Sequence, residues 1–409
     1  MKKNIFYLAI IQILKFVTPL ITFPYLTRVL GVEAFGNLAY ASGLIIYLTL
    51  IVEFGFNKIS VINASKLKEN KEYLSEYIYT IFSTQLILYF SSMILVFISY
   101  IFFPFSIDFL YLIVILSLSS FGLIFTPSWL FLGIEKIKAL VPFTIIGRLI
   151  SIPLIIFFVK GPDDILIAGL IQSSAFLISG FICTIYLIKN KYLLRYKFKF
   201  NNIISALKDS SLIFITNFAS NMYMAAVPII IGLILGPVYV AYYKVADNIK
   251  AISLNLMSPI FNAVYSRFNN LYNRDINESR IFLKKYFRFS LILSICGASI
   301  LFIYSKNIIT IIAGEEYLPG SIVLKIQSLV IIFSVLNQFL GTQTLIPLKY
   351  HKQFSIIVCI GGITSLIFIY PLIYNFSIIG AAISVLISEI LIFILLLHTH
   401  KNKEINILF

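Results

Sequence analysis

The sequence predicts an all-α, polytopic membrane protein of twelve transmembrane helices in two six-helix lobes, and three observations carry that expectation. Sixty per cent of the 409 residues are apolar and the mean hydropathy is +0.97, whereas ordinary soluble domains are ~45–50% apolar. Twelve apolar runs alternate with connectors. Each run is 20 residues or longer, enough to cross ~30 Å of hydrocarbon with some tilt. Finally, 24 of the 32 Lys and Arg lie at the termini or in every second connector, and the intervening connectors, with the run ends that adjoin them, carry only Arg28, Lys160 and Lys306. By the positive-inside rule both termini and all basic connectors face the cytoplasm.

The first run, 5–30, follows Lys2 and Lys3 as the core of a signal peptide would. Lys15 interrupts it, no small-x-small cleavage site follows, and a second run starts almost at once, so it is read as a retained helix. Pro19 and Pro24, between Lys15 and Arg28, remove helical donors and make this helix a candidate bending gate. Gly31-Val32-Glu33-Ala34-Phe35-Gly36 lacks the Lys-Ser/Thr of a phosphate loop and reads as a tight outer turn. Runs 37–56, 77–103, 109–132, 139–159 and 165–188 complete the first six. The long basic connectors are 57–76 and 189–211; the second divides the chain into lobes 1–200 and 201–409. The second six runs are 212–235, 238–264, 289–312, 321–346, 354–374 and 377–397. A shift of 205 residues superposes Leu30-Gly31 on Leu235-Gly236, Ala41 on Ala246 and Phe56-Asn57 on Phe261-Asn262, the pattern of a parallel repeat.

A net charge of +15 does not imply nucleic acid, because the basic residues sit in short loops beside apolar runs without an aromatic platform. Anionic membrane lipids are the expected counter-charge. Cys183, Cys296 and Cys359 fall in different runs at no metal or redox spacing. His398 and His400 do not share a helix face, and the outer loop holding Asp163-Asp164 is too short for a catalytic domain. No catalytic constellation, metal site or cofactor motif is expected.

Charges inside the runs carry the functional expectation. Lys15, Arg148, Lys244, Lys250 and Lys325 stand there with Glu53, Asp247 and Glu389, a balance of +2. Each charge at a helix centre costs ~2.5–3.5 kcal/mol on insertion scales. At ~1.5 Å per residue, Lys15 and Arg148 lie near the midplane of their runs. Lys244, Asp247 and Lys250 recur at i, i+3 and i+6, within one third of the helix circumference. Asp247 is expected to pair at full strength with only one lysine. Two readings stand for this trio: a structural pairing between helices, or part of a water-filled cationic cavity for an anionic ligand such as a diphosphate. Glu53 reads as interfacial; Glu389 could take a proton or pair across the bundle; Lys325 could reach the outer surface.

Beyond these charges, the sequence of the first two runs resembles a known family. Thr18-Pro19-Leu20-Ile21-Thr22-Phe23-Pro24-Tyr25-Leu26-Thr27-Arg28-Val29-Leu30-Gly31, followed by Glu33, Phe35 and Gly36, resembles the amino-terminal signature of polysaccharide repeat-unit flippases, the Wzx type of O-antigen transporter. Glu53-Phe54-Gly55-Phe56, Trp129-Leu130-Phe131-Leu132-Gly133-Ile134-Glu135-Lys136, Gly314-Glu315-Glu316-Tyr317 and Gly341-Thr342-Gln343 with Leu345-Ile346-Pro347 are similar to motifs of the wider multidrug/oligosaccharidyl-lipid/polysaccharide exporter superfamily. The resemblance implies movement of an undecaprenyl-diphosphate-linked oligosaccharide from the cytoplasmic to the periplasmic leaflet of a bacterial inner membrane. It also implies a cationic cavity for the headgroup and functional partnership with a polysaccharide polymerase and a chain-length regulator. Of the candidate ligand residues only Arg28 lies in a matching motif. Lys15, Arg28, Arg148, Lys244 and Lys250 are therefore the expected diphosphate contacts, with Asp247 and Glu389 tuning charge or carrying a coupling proton. An ion-coupled drug exporter of the same superfamily would favour acids over bases within its helices. A membrane polymerase would need a larger periplasmic loop than the ten or so residues available.

Overall fold

Helical backbone is the one regular way to satisfy every N–H and C=O inside a bilayer without closing a barrel, and every regular element among the described residues is helical. The computed structural model describes the backbone of residues 2–102, 106–194, 199–272 and 274–403, with side chains from Val17 onward apart from Thr216 and 219–224. In order the helices are α1 (Lys2–Glu53), α2 (Phe56–Leu67), α3 (Lys71–Phe102), α4 (Ile107–Ile124), α5 (Ser128–Gly133), α6 (Ile137–Phe158) and α7 (Ile165–Lys189). They continue as α8 (Phe200–Leu235), α9 (Pro237–Tyr272), α10 (Ile276–Ile303), α11 (Ser305–Ile312), α12 (Gly320–Asn337) and α13 (His351–Asn402). Eight segments among the described residues are long and apolar enough to cross a membrane. The chain is a multi-pass, all-helical membrane protein.

Two of those segments are longer than one crossing. Helices α1 and α13 each run 52 residues, about 78 Å at ~1.5 Å per residue. Both break once. Gly31 interrupts α1 at φ 71°, ψ 179°, and Ser377 interrupts α13 at φ 54°, ψ −140°. The expected turn over residues 31–36 thus contracts to a single residue, because a glycine without Cβ reverses the backbone in one step and residues 32–36 remain helical. Gly236 does the same between α8 and α9, at φ 92°. The two glycines superposed by the 205-residue shift share this backbone role.

The connector over residues 57–76 is itself largely helical. Phe56, Ser60 and Ala64 lie four residues apart and are fully buried, while Lys58, Ile62 and Lys66 on the other side are exposed. One side therefore packs inward, with α2 against α5. Gly55, at φ 78°, makes the bend from α1 into α2.

The chain forms two compact units, Met1–Phe218 and Ala219–Phe409. In the first, α4 packs on α7 and α6 packs on α7. Small residues set the closeness: a Cβ on Gly122 would fall 2.5 Å from the Phe176 carbonyl carbon, and one on Gly180 would fall 2.6 Å from the Gly122 oxygen. Lipid offers little hydrophobic drive between helices, so such contact and interhelical hydrogen bonds hold them. Ser179 supplies one, its Oγ donating to the Phe143 carbonyl at 2.8 Å. In the second unit α12 packs on α9, α10 and α13. Its core gathers Phe261, Phe268, Phe339, Leu345 and Leu396. A π-helical stretch, Gln338–Leu345, extends α12, and the Gln343 side chain there donates to the Phe261 carbonyl at 3.0 Å.

Candidate functional site

In the second unit three candidate residues line one face of α9. Asp247 accepts from both lysines: Oδ2 from Lys244 Nζ at 2.8 Å and Oδ1 from Lys250 Nζ at 2.7 Å. This corrects the expectation of one full-strength partner. A carboxylate has two oxygens, and lysines on either side at i−3 and i+3 each reach a different one. The three are not equally accessible. The Lys250 side chain is 7% exposed and that of Lys244 28% exposed.

Glu389, on α13, is buried. Asn337, on the last turn of α12, donates its amide to Glu389 Oε2 at 2.6 Å and to the Glu389 carbonyl at 3.0 Å. Lys250 also lies within Coulombic reach of Glu389. Lys250 therefore has Asp247 as its ion-pair partner and Glu389 as a second carboxylate at longer range. Sequence reasoning found the charged members and missed Asn337, a neutral residue 52 positions from Glu389 with no local signal of the contact.

The first unit treats its cation differently. Arg148 sits mid-way along α6, directly after Gly147. A Cβ on Gly147 would collide with the Ala175 carbonyl oxygen, so this glycine lets α6 approach α7 at that level. The Arg148 guanidinium lies 5.6 Å from the centroid of the Phe176 ring on α7, in the range of a cation–π contact. Among the described residues Arg148 makes no ion pair. Phe176 also lines a cavity of about 300 Å³ between α1, α4 and α7, whose polar lining comes from Ser42, Thr49, Ser119, Gln172 and Ser173.

Arg28 is exposed on α1, and the side chain of Lys15 lies outside the described residues. Lys325, on α12, lies 5.7 Å from the centroid of the Phe302 ring. Glu53 ends α1 beside a small polar recess shared with Asn57 and Gln85. Asp164 Oδ2 accepts the backbone N–H groups of Lys160 and Gly161 at 2.8 and 3.1 Å, which accounts for this acid as a turn-forming residue.

Residues 1–272 match the family model described as polysaccharide biosynthesis protein. The chain belongs to that family. The matched part ends with α9, so the Lys244, Asp247 and Lys250 trio falls inside it, and Asn337 and Glu389 fall beyond it. Over 421 aligned residues, 99% of this chain and 98% of its relative, the family member is 32% identical to a protein of Escherichia coli (strain K12) named "Putative O-antigen transporter". Its fold is similar to a solved structure titled "Lipid II flippase MurJ, inward closed conformation", with TM-score 0.71 and 16% identity over 98% of this chain and 88% of that one. It is also similar to an inward-facing multidrug resistance MATE family transporter of the MOP superfamily, with TM-score 0.72 and 12% identity over 95% of this chain and 96% of that one. At these identities the likeness to the two structures is one of fold.

Proposed function

We propose that this protein is a flippase that moves undecaprenyl-diphosphate-linked oligosaccharide repeat units from the cytoplasmic to the periplasmic leaflet of a bacterial inner membrane by alternating access. Family membership, the O-antigen transporter name of its relative and the flippase fold support the reading. The observation that carries it is Arg148, a cation on an apolar helix that is matched with an aromatic ring instead of a carboxylate. A permanent guanidinium so placed is available to a diphosphate, which it can grip bidentately.

In this reading the breaks at Gly31 and Ser377 divide α1 and α13 into two crossings each, and α8 and α9 supply two more, for twelve in all. Lys15, Arg28, Arg148 and Lys244 offer charge to the diphosphate. Lys250, the more buried lysine, keeps Asp247 in place, and Glu389, held by Asn337, attracts Lys250 at longer range.

The test uses a strain lacking its own repeat-unit transporter. Wild-type protein should restore surface polysaccharide. The Arg148→Ala/Lys244→Ala double variant should leave the lipid-linked oligosaccharide in the cytoplasmic leaflet at normal protein levels. Unchanged surface polysaccharide in that variant would overturn the assignment of these cations. Resistance to cationic drugs without any effect of the wild-type protein on the lipid-linked pool would instead favour the exporter.

A further inference from the structure

A second cavity of the first unit lies at the ends of α3 and α8 that adjoin the basic connectors. It encloses about 260 Å³ and is lined by Tyr73, Glu76, Tyr77, Asn202 and Asp209. Its chemistry is unlike that around Arg148. Two tyrosine rings and two carboxylates converge with a primary amide, and among the described residues the lining itself holds no cation.

The groups are partly prearranged. The Tyr77 hydroxyl shares a hydrogen bond with Ser60 Oγ at 2.9 Å and accepts from Asn63 Nδ2 at 3.1 Å, while its ring meets Trp129 edge-on at 5.8 Å. Lys199 Nζ and Asn202 Nδ2 both donate to Glu76 Oε1, at 3.1 and 3.0 Å. Among the described residues no hydrogen bond to Glu76 Oε2 is formed. Asp209 is exposed, and Tyr73 is 61% exposed.

An aromatic face accepts the apolar C–H side of a pyranose ring, and ionised carboxylates accept its hydroxyls in charge-assisted hydrogen bonds. Both features are present. A phosphate or diphosphate would instead be repelled by Asp209, the lining carboxylate without an ion pair among the described residues, and a hydrocarbon chain would strand these polar groups unpaired. A metal ion is a poor fit, since no group of three ligating side chains occurs among the described residues. The volume falls below the ~300–1,000 Å³ of pockets for drug-sized ligands, which suits a single sugar ring of a longer oligosaccharide.

We infer that the cavity lined by Tyr73, Glu76, Tyr77, Asn202 and Asp209 is a sugar subsite, which reads one ring of the oligosaccharide while the diphosphate is held elsewhere. The role in loading a lipid-linked substrate rests on the flippase reading; the binding of a sugar does not. Because hydroxyl-matched polar sites reject analogues that lack the hydroxyl, the cavity discriminates between repeat units.

The chain carries its own reporter, since Trp129 is its only tryptophan and it touches Tyr77. Full-length protein in nanodiscs is titrated with the neutral oligosaccharide released from the lipid carrier by mild acid, and separately with sodium pyrophosphate. The oligosaccharide should change Trp129 emission saturably. Tyr73→Ala and Asp209→Asn, both at exposed positions, should each raise the half-saturating concentration about tenfold, as expected for loss of a ring platform or a charge-assisted bond. A response to pyrophosphate but not to sugar overturns the proposal, as does a sugar response untouched by both variants. A wild-type protein that responds to sugar yet moves no lipid-linked oligosaccharide in cells would remove the flippase reading and leave the sugar site standing.

Discussion

In Met1–Phe218 the membrane cation Arg148 rests on the Phe176 ring, whereas in Ala219–Phe409 Lys244 and Lys250 are both held by Asp247, with Glu389 and Asn337 alongside. The 205-residue shift brings the difference onto equivalent positions. Lys244, Asp247 and Lys250 correspond to Ala39, Ser42 and Ile45. Ala39 and Ile45 are buried, and Ser42 lines the 300 Å³ cavity that Phe176 also borders. What the two halves share is scaffold: positive φ at Gly31 and Gly236, full burial of Ala41 and Ala246, and burial of Phe56 and Phe261. Backbone reversals and packing positions are thus common to both halves, while each half carries its charges on its own terms. The second half pairs Lys244 and Lys250 with Asp247 and sets Lys325 over the Phe302 ring; the first sets Arg148 over the Phe176 ring.

The largest effect should come from breaking the neutralised cluster. Asp247→Leu leaves two lysines unpaired, and loss of one partner from a buried pair typically costs about 3–5 kcal/mol. The lower end is expected because the Lys244 side chain is 28% exposed. Thermal unfolding in detergent should show a large drop in midpoint. The quadruple replacement Lys244→Leu/Asp247→Leu/Lys250→Leu/Glu389→Gln should recover most of it, since neutral groups can replace a whole buried ion cluster without net cost. Failure of the quadruple to recover would show that the cluster organises its surroundings beyond its own charges.

A smaller effect is expected where the first unit depends on close approach. Gly147→Ala drives a Cβ into the Ala175 carbonyl oxygen and should cost about 1–3 kcal/mol by overpacking. Gly297→Ala, in α10 of the second unit, meets nothing within 4 Å and should be neutral or stabilising by up to ~1 kcal/mol, since alanine is the better helix former. Equal midpoints for the two variants would contradict the contact between α6 and α7. The smallest stability change is predicted for Arg148→Ala, below about 1 kcal/mol, because only a cation–π contact is lost. A drop in midpoint comparable to that of Asp247→Leu would erase the contrast between the halves and assign Arg148 a structural role.

Much of the fold was legible along the chain. Long apolar runs and alternating basic connectors announce membrane helices because both are local properties: hydrophobic thickness is a run length, and orientation is a charge count. The spacing of Lys244, Asp247 and Lys250 likewise announced a shared face. It did not announce that both lysines bind Asp247, since that depends on which rotamers the packed helix allows. The partners of Arg148 and Glu389 were less visible still. Phe176 and Asn337 are 28 and 52 residues from them and uncharged, so nothing distinguishes them from neighbouring residues of the same type.

Composition and charge order by themselves determined that this chain is a helical membrane protein and that cations stand within its apolar runs. Tertiary structure alone decided which of those cations meet carboxylates and which meet aromatic rings. Hydropathy acts residue by residue along the chain. Ion pairing and cation–π contact decay within a few ångströms, so they exist only once the packing of helices brings distant side chains within reach.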